Sequence, residues 1–299
     1  MLSVSDVVFS FSPEHPPVAR VSPGDMVRFI TKDCFCDQVT GASDLVTAID
    51  FDRVNPATGP VFVEGAEPGD TLCAEILSID VAEKGIACTL PDSGPLIGWC
   101  ELRTKVIEVR DGKAFFNDLV FPVRPMVGVI GTAPAEGAVV CGQPGAHGGN
   151  LDCKFMTAGA KAYFPVRTRG ALFQLGDLHA SMGDGEIGGT GIEIGGTVLV
   201  RLHLIKNLPL DWPVLEIGDT IHTLASGPEF VAVQRETARQ MQRLIAAAWG
   251  WDETDAALYL SVRGDSAICQ TCQPSTFDMV LRMGIPKEPG KARLLPMPG

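Results

Sequence analysis

The chain has 299 residues, 45% of them hydrophobic, and its 24 Lys plus Arg against 36 Asp plus Glu give a formal charge of −12. That length can bury one large core or two to three smaller ones. The acidic balance, without any run of basic residues, argues against a sequence-independent grip on nucleic acid, and no apolar stretch approaches the roughly 20 residues that cross a bilayer.

The N-terminal stretch MLSVSDVVFSFSPEHPP has neither a basic n-region nor a continuous apolar h-region. Nine cysteines, an odd number scattered from Cys34 to Cys272, fit a reducing compartment, so the expected location is cytoplasmic. Turn residues punctuate the first 215 positions. Between them lie short segments rich in Val, Ile, Leu, Thr and Phe, such as VRFITK (27–32), TLCAEILSID (71–80), KVIEVRDGKAFF (105–116) and TVLVRLHLI (197–205). Several alternate apolar with polar, which predicts strands. A Gly-Asp pair precedes an apolar run three times, in SPGDMV, EPGDTL and EIGDTI, and predicts a tight turn feeding a strand.

The pattern changes near residue 225. Val233, Thr237, Met241, Leu244 and Ala248 fall at steps of four and three, one face of a helix over 228–248 that Gly250 ends. Asp252, with Asp255 three residues on, predicts the N-cap of a second helix through Leu260. The tail PKEPGKARLLPMPG reads as irregular. These signals describe a mainly β chain with a smaller α+β part at its C-terminal end.

Two stretches carry the chemistry. GQPGAHGGNLDCK (142–154) sets His147, Asn150 and Asp152 among four glycines. QLGDLHASMGDGEIGGTGIEIGG (174–196) holds Asp177, His179, Asp184, Glu186 and Glu193. On an extended backbone Asp177 and His179 share a face, as do Asp184 and Glu186. Carboxylate and imidazole converging on one side suit a divalent metal, and a catalytic zinc site keeps one position for water. Such a metal brings the pKa of water to about 7 and polarises a carbonyl, while a nearby carboxylate moves the proton to a departing amine. Asp33, Asp37, Glu64 and Glu67 are further acidic candidates upstream. Plainer readings stand beside these: His147 as a turn histidine, and Asp177 and Asp184 as turn or cap residues. GGTGIEIGG lacks the pattern of a phosphate loop, CQTC (269–272) has no second pair of ligands, and no G-x-S-x-G elbow occurs. A Cys153 nucleophile paired with His147 or His179 is conceivable but weaker than the metal reading.

Taken together, PGAHGGNLDCK, GDLHASMGDGEIGGTGIEI and TGPVFVEGAEPGDTL resemble the acetamidase/formamidase family, and the similarity runs from PVARVSPGDMVRF to SVRGDSAICQTCQP. The resemblance implies an amidohydrolase that releases ammonia from short linear amides such as formamide or acetamide, and a metal-binding protein, with zinc or calcium the plausible ion. It also implies a β-sandwich-like N-terminal region (1–125), further β structure carrying the site (126–215) and an α+β C-terminal region (216–299). The positions carried over are His147, Asn150, Asp152, Asp177, His179, Asp184 and Glu186. Ligand and proton chemistry then assigns the roles. His147, Asp177, His179, Asp184 and Asp33 are the expected metal ligands. Glu186, Asp152 and Asn150 are the expected catalytic groups, with Asn150, Gly148 and Gly149 touching substrate. TKDCFCDQ is more cysteine-rich than expected of the family, and Cys34 or Cys36 there would reshape the pocket or offer a soft ligand. Rival readings keep the fold but change the substrate to a cyclic amide or ureide, or make the chain a calcium-stabilised binding protein. A small-molecule amide is the expected partner, without nucleic acid or membrane, and a homo-oligomer, most simply a dimer, is the expected assembly.

Overall fold

In a computed structural model describing residues 1–297, all three Gly-Asp turns feed strands. Gly24, Gly69 and Gly218 take φ values of 93°, 96° and 54°, the left-handed region that glycine adopts without steric cost. The strands Met26–Thr31, Thr71–Val81 and Thr220–Gly227 follow. In the first two turns the aspartate closes the loop. Asp25 accepts from the Ser22 N–H at 2.8 Å and Asp70 from the Glu67 N–H at 2.9 Å.

Among the described residues the strands form a nine-stranded sheet, an eleven-stranded sheet and a two-stranded ribbon. The nine-stranded sheet pairs Gly196–Ile205 antiparallel with both Met26–Thr31 and Thr71–Val81. It extends from Leu2–Val4 at one edge to Asp265–Gln270 at the other, so strands from all three regions expected from the sequence share one sheet. In the eleven-stranded sheet Phe173–His179 is an interior strand. It lies beside Met126–Gly131 on one side, and beside Ala57–Val63 and Glu193–Ile194 on the other.

Alternation sets which faces are buried. Met26–Thr31 is exposed and buried by turns, whereas Phe173–His179 is buried along its whole length, as an interior strand covered on both faces should be. One contiguous core draws Val27, Phe29, Leu72 and Val200 from the nine-stranded sheet, and Val61, Val127, Phe173 and Leu178 from the eleven-stranded one. Each such side chain stabilises the fold by about 1.5–3 kcal/mol through burial.

Helix α1 (Phe230–Trp249) buries Val233, Thr237, Met241 and Ile245. The stripe therefore continues through Ile245, with Leu244 half-buried beside it, because 3.6 residues per turn rotates a four-residue step only slightly. Gly250 ends α1 at φ 68°. Helix α2 (Glu253–Arg263) starts at Asp252, whose side chain accepts from the Asp255 N–H at 2.8 Å. Among the described residues no helix is long and apolar enough to cross a membrane.

Candidate active site

Strand Phe173–His179 delivers Asp177 and His179, and strand pairing brings the other groups to them. His179 lies directly opposite Glu193 in an antiparallel register, so their side chains project on the same face. On the other side the Gly128 carbonyl accepts from the N–H groups of Leu151 and Asp152 at 3.0 and 3.3 Å, which brings Asp152 over Gly128. A Cβ on Gly128 would stand 2.5 Å from Asp152 Oδ1 and 2.8 Å from Asp177 Oδ2. The missing side chain at Gly128 is therefore what lets two carboxylates meet. Glu186 reaches the group from the loop 183–189, where it is buried while Gly183, Ile187 and Gly188 around it are exposed. This loop is where the cluster comes nearest to solvent.

The resulting constellation is four carboxylates around one imidazole. His179 Nε2 lies 3.1 Å from Glu193 Oε2, 3.6 Å from Asp177 Oδ1, 3.8 Å from Asp152 Oδ1 and 3.9 Å from Glu186 Oε1. All five residues are buried, Asp152 and His179 to 1% exposure. Asp152, Asp177 and Glu186 hold left-handed φ values of 38°, 54° and 45°, conformations that cost a non-glycine residue about 1 kcal/mol or more and that gather at functional sites. Burial and mutual repulsion push the acids toward their neutral forms. Asp152 rises to about 8 and Glu193 to about 7, in each case mainly through burial and partly offset by His179. Glu186 rises well above the ordinary carboxyl range through burial and the charge of Asp152. Burial lowers the pKa of His179, but Glu193 and Asp177 outweigh it and hold the imidazole well above its usual value.

Polar satisfaction is incomplete here. Both oxygens of Asp152, Asp177 Oδ1, Glu193 Oε2 and His179 Nδ1 are buried without a hydrogen-bond partner. A buried acceptor left bare costs about 1–3 kcal/mol, more when charged. A divalent cation would satisfy these atoms, and the donor set fits one. Ligand atoms of Asp152, His179 and Glu186 lie within 4.8 Å of one another, as do those of Cys34, Asp177 and Glu193.

The structure separates the sequence candidates. Asp177, His179, Asp152 and Glu186 meet in the cluster. Asp184 does not join them: Arg282 Nη1 and Nη2 donate to its two oxygens at 2.9 and 2.8 Å, and Lys154 Nζ lies 2.8 Å from Oδ2. The loop is a turn rather than an extended strand, with the Glu186 N–H bonded to the Gly183 carbonyl, so Asp184 and Glu186 face different partners. His147 packs edge-on against Phe11 at 4.8 Å. Burial, with the charge of Arg167, lowers its pKa to about 4, and its Nε2 has no hydrogen-bond partner. Asp33 sits half-buried and accepts from the Asp37 N–H at 2.8 Å. Burial raises its pKa to about 6, and Asp177 contributes to the rise. Asn150 lies two residues before Asp152 with its Oδ1 buried and unpartnered. Gly148 and Gly149 pack where an added Cβ would stand 2.2 Å from the carbonyl oxygens of Ile130 and Gln143 respectively, so close backbone approach explains both. Glu193, Gly128 and Cys34 are the site residues to which sequence reasoning gave no role or left one open.

Fold and site together define a mainly β protein with a buried carboxylate–imidazole centre suited to a divalent cation. The profile of the Acetamidase/Formamidase family matches residues 6–140 and 133–234, and the chain belongs to that family. The fold is similar to that of a predicted acetamidase/formamidase from the thermophile Thermoanaerobacter tengcongensis, at 41% identity and a TM-score of 0.92, covering 95% of each chain. An acetamidase from Bacillus halodurans is 38% identical with a TM-score of 0.92, covering 95% of this chain and 97% of that one. A formamidase from Methylophilus methylotrophus is 28% identical over 65% of this chain, and the chain spans 63% of that relative's length.

Proposed function

We propose that the chain hydrolyses the C–N bond of short linear amides such as formamide and acetamide, giving a carboxylate and ammonia, with a divalent cation held by Asp152, His179 and Glu186. The observation that carries this reading is the cluster itself, where carboxylates packed around His179 leave both oxygens of Asp152 bare. Relatives named formamidase and acetamidase support the choice of bond, and the imidazole favours zinc over calcium. Bound by Asp152, His179 and Glu186, such a cation would supply Lewis acidity and lower the pKa of a water toward neutrality.

The chain's own residues do the rest. Glu186, on the loop nearest solvent, takes the proton from the attacking water and returns it to the departing nitrogen. Asn150 offers a carboxamide NH₂ to the substrate carbonyl and its bare Oδ1 to the substrate NH₂, which matches a primary amide on both sides. The test is turnover by the full chain of formamide and acetamide, read as ammonia release, and of a five-membered cyclic amide, read as the amino acid formed on ring opening. The linear amides are expected to turn over at least 10-fold faster by kcat/KM. Preference for the cyclic amide would overturn the substrate assignment, and no turnover of any of the three would overturn the reading.

A further inference from the structure

Four of the seven residues in the loop 183–189 are glycines, and each adds backbone freedom that the folded loop must give up. Apolar anchoring is sparse as well, since Ile187 is 47% exposed. Yet the loop carries Glu186 to within 3.9 Å of His179 Nε2 and buries it. Contacts from outside the loop must therefore hold it. Two are backbone bonds at Gly185, whose N–H donates to the Cys269 carbonyl at 2.8 Å and whose carbonyl accepts from the Thr271 N–H at 3.0 Å.

The others are side-chain contacts. Arg282 lies in the strand Met279–Pro286, between Thr220–Gly227 and Asp265–Gln270, and is 5% exposed. Its Nη1 and Nη2 donate to the two oxygens of Asp184 at 2.9 and 2.8 Å. Nη1 also donates to the Ile268 carbonyl, and the guanidinium lies 4.7 Å over the ring of Phe155. Lys154 Nζ adds a contact to Asp184 Oδ2 at 2.8 Å. Lys154 stands two residues past Asp152, and Asp184 stands two residues before Glu186. One ionic network thus clamps the segment 152–155 to the loop that brings Glu186 to Asp152. A bidentate Arg–carboxylate pair fixes a plane and a direction, which an ammonium does not. Apolar residues of similar volume often replace a buried ion pair without loss of stability, so stability alone does not call for arginine here.

We propose that Arg282, aided by Lys154, is a positioning residue for amide hydrolysis: acting through Asp184, it fixes Glu186 opposite Asp152. The proposal rests on the reading of Glu186 as the group that moves the proton. Misplacing a reacting group by about 1 Å, even from a distant substitution, costs about 10²-fold in rate. The plane set by Arg282 therefore matters although its charge lies outside the cluster. Arg282→Lys keeps the charge and loses the fork, whereas Asp184→Asn keeps the volume and loses the charge.

The test joins steady-state kinetics with acetamide to amide hydrogen exchange, on the full chain at saturating zinc. Arg282→Lys is expected to lower kcat about 10- to 100-fold with KM within about 2-fold of wild type, the split produced by an interaction that acts in the transition state. In a Glu186→Gln background the same substitution is expected to change kcat by no more than about 2-fold, because its effect passes through Glu186. Peptides covering 183–189 are expected to exchange about 10-fold faster in Arg282→Lys, with exchange in α1 unchanged. Should Arg282→Lys not fold, Asp184→Asn reads the same three quantities. Unchanged kcat, an equal loss in both backgrounds, or unchanged exchange in 183–189 would overturn the proposal. Exchange needs no substrate, so wild type that releases no ammonia overturns the amidase reading and leaves exchange to decide whether Arg282 holds the loop.

Discussion

Two kinds of buried acid occur in this chain, and they differ in what surrounds them. Glu216 is 7% exposed, yet Arg293 Nη2 donates to both its oxygens at 2.9 and 2.8 Å, Lys287 Nζ lies 2.6 Å away and the Tyr163 hydroxyl donates at 3.1 Å. Burial pushes its pKa up, but Lys287 and Arg293 outweigh burial and hold it below the ordinary value. Asp184 is likewise held low by Arg282 and Lys154 against burial. Asp152 and Glu193 are buried more deeply than either, meet other carboxylates instead, and rise to about 8 and 7. Lys and Arg side chains balance the first kind, and only the imidazole of His179 offsets the second. The protein's own charges complete the first arrangement, and an external cation would complete the second.

The contrast is tested most strongly by removing the orphaned acids. Asp152→Asn and Glu186→Gln, made singly, are each expected to lower ammonia release by about 10²- to 10⁴-fold in kcat and to weaken metal binding as well. Wild-type rates in either variant would take that carboxylate out of the chemistry.

The next effect is on stability and has a defined sign. In cation-free protein the folded pKa values of Asp152 and Glu193, about 8 and 7, stand above the unfolded values of roughly 4. Between pH 6.5 and 8 the folded state therefore binds more protons than the unfolded state, and stability falls as pH rises. His147 and His222, lowered to about 4 mainly by burial, are neutral in the folded state but about half-protonated in the unfolded state at pH 6.5, so they oppose the trend at the lower end of that window in stripped and zinc-loaded protein alike and leave the gap between the two unchanged. Zinc at about 1,000 times its dissociation constant adds roughly 4 kcal/mol. Thermal unfolding of stripped and zinc-loaded protein at pH 6.5 and 8 is expected to show a gap in Tm that widens with pH. A gap that narrows would contradict the electrostatics of the cluster.

A smaller effect belongs to the partnered acids. Asp184→Asn is expected to cost about 1–3 kcal/mol by weakening its charge-assisted bonds to Arg282, measured by urea unfolding, and to leave the metal content unchanged. Loss of metal in this variant would return Asp184 to the ligand set.

The legible part of the site is the part encoded locally. Asp177 and His179 stand two apart, a spacing that puts both on one face of an extended backbone, and they meet in the cluster even though Asp177 takes φ 54°. The Gly-Asp turns and the Asp252 cap read correctly because each depends on neighbours within three residues. The parts that depend on distant pairing were hidden. Glu193 joins His179 through an antiparallel register across a glycine-rich loop, and Cys34 arrives from the other sheet. Gly128 matters for an absent side chain, which no motif records. Asp184 misled because spacing two from Glu186 implies a shared face only on an extended chain, and the backbone there turns.

The most direct test of the central claim is ammonia release from formamide and acetamide by chelator-stripped protein, before and after zinc is restored. The account predicts that activity vanishes on stripping and returns with zinc, in step with metal bound per chain. Undiminished turnover by protein shown to be metal-free would contradict it.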